Sequence, residues 1–189
     1  MNILPCPIPG LLIFEPKVFG DTRGFFMETW NLRRYQEAGL DATFVQDNVS
    51  FSARGILRGL HFQNPNPQGK LLQVLLGEVF DVAVDIRRGS PTFGKWHSLM
   101  LSAENKRQFY VPPGFAHGFL VMSETALFNY KCTEFYSPKD ELAIRWDDPD
   151  LGIKWPVHEP LLSEKDTKGL RLAEVPQNKL FQWNNEATK

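Results

Sequence analysis

Two short runs hold most of the reactive side chains in this sequence: Gly55-Ile-Leu-Arg58-Gly-Leu-His61-Phe-Gln63 and, further along, Pro112-Pro-Gly114-Phe-Ala-His117. Imidazole titrates near neutral pH, which makes His61 a candidate general base. Lys70 and Arg58 carry the positive charge that would stabilise an oxyanion, and a phenol such as Tyr130 could return a proton from another direction. A base, cationic donors and a second proton donor are what proton abstraction beside a carbonyl requires. Such base catalysis contributes roughly a hundred- to ten-thousand-fold, so fixed electrostatics must supply much of the remaining acceleration.

These residues sit on segments that read as short strands. Apolar, β-branched or aromatic stretches at 11–14, 44–51, 56–63, 71–76, 78–86, 96–101, 107–111, 116–121 and 126–133 alternate with turn residues such as Asp21-Thr22-Arg23-Gly24, Gly77-Glu78 and Gly89-Ser90-Pro91. The spacing predicts a mainly β sandwich or barrel with antiparallel connections. One short helix is expected at 32–38, with Asn31 as its N-cap and Gly39 just past its end. Strict alternation would put Arg58 and His61 on opposite faces of their strand, so a shared pocket demands a twist or bulge, for which Gly59 is the natural place. Either Asp81 or Asp85 could support His117.

Beyond Tyr136 the composition turns to Asp, Pro, Lys and Trp. That stretch reads as a C-terminal tail over the barrel mouth, with Ser163 capping a short helix and Trp146, Trp155 and Trp183 as anchors. The Asp147-Asp148-Pro-Asp150 cluster lacks EF-hand spacing and reads as a solvated turn. The expected organisation is one domain, with a barrel core at about 40–136 and a tail at about 137–189.

With 189 residues, a net charge of −1 and 42% hydrophobic residues, the chain can bury a substantial core but has no broad basic field for nucleic acid or a membrane surface. Cys6 and Cys132 form no CxxC pair, which predicts neither a disulfide framework nor a structural zinc site. The apolar run 11–14 is too short for a membrane span. A cytoplasmic protein is expected.

The spacings Gly-x5-His-x-Gln and Pro-x-Gly-x2-His resemble the two motifs of the cupin superfamily, which implies a double-stranded β-helix, or jelly-roll barrel, with His61 and His117 facing its interior. Metal-binding cupins usually offer His-x-His and a carboxylate. Here Gln63 and Lys70 stand in that region instead, and two histidines beside an ammonium make a poor divalent-cation site. No metal and no cofactor are expected.

A closer resemblance runs over roughly residues 8 to 170. Phe19-Gly-Asp-Thr-Arg23-Gly-Phe-Phe-Met-Glu28, Phe44-Val-Gln46-Asp47-Asn48, Leu57-Arg58-Gly-Leu-His61, Gln68-Gly-Lys70, Asp81-Val-Ala-Val-Asp85-Ile-Arg87, Ser90-Pro-Thr-Phe-Gly94, Pro113-Gly-Phe-Ala-His117 and Leu162-Ser-Glu-Lys-Asp166 together resemble the dTDP-4-dehydrorhamnose 3,5-epimerases. The resemblance implies epimerisation of dTDP-4-keto-6-deoxyglucose at both carbons flanking its ketone. It implies His61 as base, Asp166 as its dyad carboxylate, Tyr130 as proton donor and Lys70 beside them. Arg23, Glu28, Gln46, Asp47, Asn48, Arg58, His117, Glu141 and Lys168 fall on its ligand-binding positions, and Tyr136 on the ring that stacks against thymine. It further implies a homodimer in which the segment from Arg23 to Glu28 completes the neighbouring subunit's site. The rival readings are an epimerase of a single centre or of another dTDP-4-keto sugar, a metal-dependent cupin, and a non-catalytic jelly-roll module.

Overall fold

The computed structural model describes residues 1–183. In chain order it forms β1 (Asn2–Leu4), β2 (Leu12–Glu15), β3 (Val18–Asp21), β4 (Gly24–Met27), α1 (Leu32–Glu37), β5 (Gln46–Ala53), β6 (Leu57–Gln63), β7 (Lys70–Leu76) and β8 (Glu78–Asp85). Next come β9 (Arg87–Arg88), β10 (Trp96–Ser102), β11 (Gln108–Val111), β12 (Phe115–Val121), β13 (Thr125–Cys132), β14 (Glu141–Ala143) and β15 (Phe181–Gln182), with three 3-10 turns between β14 and β15. A six-stranded antiparallel sheet, β1-β2-β11-β7-β13-β5, faces a five-stranded one, β10-β8-β12-β6-β14. The fold is mainly β, a cupin-type jelly roll.

Alternation along the strands builds the core. Ile13, Leu72, Val74, Phe109, Ala126 and Phe128 of one sheet interdigitate with Val79, Ala83, Leu101, Phe119 and Val121 of the other. The intervening residues of β6, β8 and β12, namely Leu60, Phe62, Val82, Val84 and Ala116, face the other way. A second apolar cluster forms there with Ile144, Leu151, Leu172, Val175 and Leu180 of the tail. Most of the tail therefore covers the back of the five-stranded sheet instead of the mouth expected from sequence, because that apolar face needs a partner. Of the tail, Glu141 and the region around Ser163–Asp166 reach the mouth.

The barrel also draws in strands from outside residues 40–136, since β1 and β2 extend one sheet and β14 the other. The six-residue helix α1 begins at Asn31, whose side chain accepts from Arg34 N, and buries Tyr35 against Phe14, Leu71 and Tyr110. Trp155 Nε1 donates to Trp146 O at 2.8 Å, and the Arg87 guanidinium lies 4.3 Å from the ring centres of both Phe115 and Trp183. The acidic turn differs from expectation at one position. Asp148 is buried and accepts from Leu172 N at 2.7 Å, tying the tail down.

Candidate active site

A cavity of about 390 Å³ opens between the two sheets. Gln46, Asn48 and Ser50 enter it from β5, Arg58 and His61 from β6, Lys70 from β7, His117 and Phe119 from β12, and Phe128 and Tyr130 from β13. Tyr136, Glu141, Ser163, Lys165 and Asp166 close one side.

His61 is held from outside the barrel strands. Its Nε2 lies 2.5 Å from Asp166 Oδ1, while Ser163 Oγ donates to Asp166 Oδ2 at 2.6 Å. Asp166 is almost fully buried. Burial alone would raise its pKa, but hydrogen bonds from His61, Ser163 and the Gly59 backbone, together with the charge of His61, hold it below the usual carboxylate value. With Nε2 committed to Asp166, Nδ1 is the free ring nitrogen, 3.8 Å from Glu141 Oε1.

Arg58 reaches the same cavity because β6 is distorted where the sequence suggested. Gly59 has φ +127°, and the β6–β12 register shifts between His117 and Phe119. A side chain on Gly59 would run into the backbone of Gly118, so both positions need glycine for the strands to cross this closely. The shift returns Arg58 to the pocket side, where Nε and Nη2 each donate to Ser52 Oγ at 3.1 Å.

Tyr130 stands on the opposite sheet from His61. Burial pushes its phenol pKa up, aided by Cys132 and Glu141 and opposed by Arg58. Lys70 lies one strand away, and burial lowers the pKa of its ammonium despite the countering effect of Cys132, Glu141 and Asp81. His117 donates Nε2–H to both oxygens of Asp81 at 3.0 Å, which resolves the choice between Asp81 and Asp85. Asp85 instead accepts from Arg87, Ser90 and Thr92. Tyr136 donates its hydroxyl to Glu141 Oε2 at 2.6 Å, which is the main reason its pKa rises to about 12. Lys165 Nζ sits 2.5 Å from the same oxygen.

Four residues expected from the resemblance lie outside this cavity. Asp47 is on the outer face of β5, paired with Lys131 at 2.9 Å, because strand alternation sends it away from Gln46 and Asn48. Lys168 pairs with Glu164 in solvent at 2.6 Å, since the 3-10 turn that directs Asp166 inward leaves residue 168 outside. Lys165 takes the inward position, a residue that sequence reasoning missed although it precedes the dyad carboxylate. Arg23 is paired with Asp21 at the tip of the exposed β3–β4 hairpin, and Glu28 with Arg34. Ser50, Gln68 and Ser163 also line the cavity without having been anticipated, although the inward phase of β5 would have indicated Ser50.

A divalent cation does not fit this donor set. Gln63 turns its amide to the Asn66 and Phe135 carbonyls, a lysine, Lys70, faces the same cavity, and among the described residues no group of three or more His, Cys, Asp or Glu side chains is placed to hold a metal ion.

The family model for dTDP-4-dehydrorhamnose 3,5-epimerase matches residues 5–174. An enzyme of that name from Pseudomonas aeruginosa is 60% identical over 170 residues, covering 89% of this chain and 94% of that protein. A crystal structure of a dTDP-6-deoxy-D-glucose-3,5-epimerase from Legionella pneumophila, in complex with dTDP-4-keto-L-rhamnose, superposes with a TM-score of 0.95 at 52% identity, covering 97% of this chain and 98% of that one. A 3'-monoepimerase from Streptomyces bikiniensis, in complex with dTDP-quinovose, is more distant, with a TM-score of 0.84 and 38% identity over 89% of this chain and 87% of that one. Matches of this extent in sequence and fold mean that the chain belongs to the dTDP-4-dehydrorhamnose 3,5-epimerase family of isomerases.

Proposed function

We propose that this protein converts dTDP-4-keto-6-deoxy-D-glucose to dTDP-4-keto-L-rhamnose, inverting C3 and C5 without metal or cofactor and supplying dTDP-L-rhamnose biosynthesis. The observation that carries the reading is His61, oriented by Asp166, on one sheet while Tyr130 faces the same cavity from the other. His61 Nδ1 removes the proton beside the C4 ketone, and the electron pair moves onto the ketone oxygen. Lys70 and Arg58 stabilise the enolate. Tyr130, kept protonated by its raised pKa, delivers a proton to the opposite face and inverts the centre. Substrate binding draws on Gln46, Asn48, His117, Glu141 and Tyr136, whose ring lies at the exposed rim where a thymine can stack.

The same reading makes the protein a homodimer. Val45, Val49 and Phe51 at the edge strand β5, with Leu75 and Leu76 on β7 across β13, are exposed apolar side chains on this sheet. Phe19, Phe25 and Phe26 are exposed on the β3–β4 hairpin, which is tethered to the barrel through its ends and carries Arg23. In the dimer this hairpin brings Arg23 and Glu28 to the neighbour's cavity. The cytoplasm suits two unbonded cysteines and a nucleotide-sugar substrate.

Product analysis tests the reading. Incubation of purified protein with the 4-keto-6-deoxyglucose nucleotide and excess chelator should give the doubly inverted sugar. A product inverted at one carbon would assign a mono-epimerase, and dependence on added metal would overturn the cofactor-free mechanism.

A further inference from the structure

Ser50 lies in the inward row of β5, two positions beyond Asn48, and faces the cavity opposite Phe128. Among the described residues its Oγ is the buried side-chain polar atom left without a hydrogen-bond partner. The next inward hydroxyl, Ser52, is taken by Arg58. Buried hydroxyls are nearly always paired, so an orphan on the wall of a binding cavity marks a place where a ligand atom completes the bonding. One rotation about χ1 between staggered wells turns a serine hydroxyl from the wall toward the lumen, at little cost when it breaks no bond. The apolar rings of Phe119 and Phe128 nearby offer it no good acceptor.

We propose that Ser50 is a further substrate-contacting residue, its hydroxyl bonding an oxygen of the bound nucleotide sugar beside Arg58. The assignment rests on the epimerase reading above. The oxygen belongs either to the hexose or to the diphosphate. A hydrogen bond that forms only when a polyhydroxylated ligand binds favours that ligand over one lacking the oxygen, because the analogue would leave Oγ unpaired.

The test compares native protein with Ser50→Ala and Ser50→Thr, measuring turnover of the keto-sugar nucleotide, dTDP affinity by calorimetry, and melting temperature. Ser50→Ala should lose about tenfold in kcat/KM, in keeping with the cost of removing one ligand hydrogen bond, with unchanged melting. Ser50→Thr, which keeps the hydroxyl, should recover most of that loss. An accompanying loss of dTDP affinity assigns the diphosphate oxygen, and undisturbed dTDP affinity assigns the hexose. If Ser50→Ala keeps kcat/KM within twofold of native, the proposal is wrong. Failure of the native protein to turn over would instead sink the epimerase reading.

Discussion

Gly59 and Gly118 meet backbone to backbone where β12 crosses β6: a methyl group on Gly118 would stand 2.7 Å from Arg58 O and 3.0 Å from Gly59 Cα. This contact lets one strand present both Arg58 and His61 to a single cavity. Gly118→Ala should therefore destabilise the fold by about 1–3 kcal/mol through overpacking, and displace the base enough to reduce kcat about a hundredfold. Denaturant unfolding and steady-state turnover of the same preparation check both effects. A variant with native turnover would show that the crossing tolerates a side chain.

Asp166 connects the tail to the base. Asp166→Asn should reduce kcat by two orders of magnitude or more with little change in KM, since it leaves the shape but removes the charge that supports an imidazolium. The depressed pKa of Asp166 also links it to stability. Its contribution is fully present above the unfolded value near 3.8 and is lost as pH falls through the lower folded value. Acid unfolding curves of native protein and Asp166→Asn should thus converge at low pH and separate above it.

On the proposed mechanism, Lys70 is the group expected to set the alkaline limit of activity. Burial lowers its pKa from 10.5, so the ammonium proposed to stabilise the enolate is lost at a lower pH than an ordinary lysine would allow. The alkaline limb of kcat/KM should fall below pH 10.5, and Lys70→Arg should move it upward while sacrificing some rate, because a guanidinium stays charged. A limb unaltered by that substitution would assign it to another group.

The inward Lys165 and outward Lys168 offer a paired comparison. Lys165→Ala should raise KM about tenfold or more by removing a cation from the cavity wall, whereas Lys168→Ala should stay within about twofold, as solvated ion pairs contribute little. Equal effects from both would mean that the tail rearranges on binding.

The proposed dimer places the β5 face in contact with a second copy. Phe51→Glu should shift sedimentation toward monomer and lower activity together, because Arg23 and Glu28 would no longer complete a neighbouring site. A fully active monomer would contradict the shared-site reading.

Much of this architecture is written in local patterns. The central strands carry their own alternation and turn residues, Asn31 caps α1 as its side chain dictates, and the conflict between Arg58 and His61 on one strand required the distortion found at Gly59. Strands β14 and β15 were not legible, since three and two residues become strands only by pairing with β6 and β9, far away in sequence. Asp47 shows the opposite lesson. Motif resemblance put it with Gln46 and Asn48, yet simple alternation already separated it from them. That Lys165 lines the cavity while Lys168 does not depends on a 3-10 turn whose register no periodic pattern reveals. Ser50 was visible in phase, but only packing shows that its hydroxyl is unpartnered.

On the proposed mechanism His61 removes protons from carbons on both sides of one ketone. Proton NMR of the protein with dTDP-4-keto-6-deoxyglucose in deuterated water and chelator reads this directly, repeated with His61→Ala. Deuterium is expected at C3 and C5 with native protein and at neither position with the variant. Undiminished exchange in His61→Ala would contradict it.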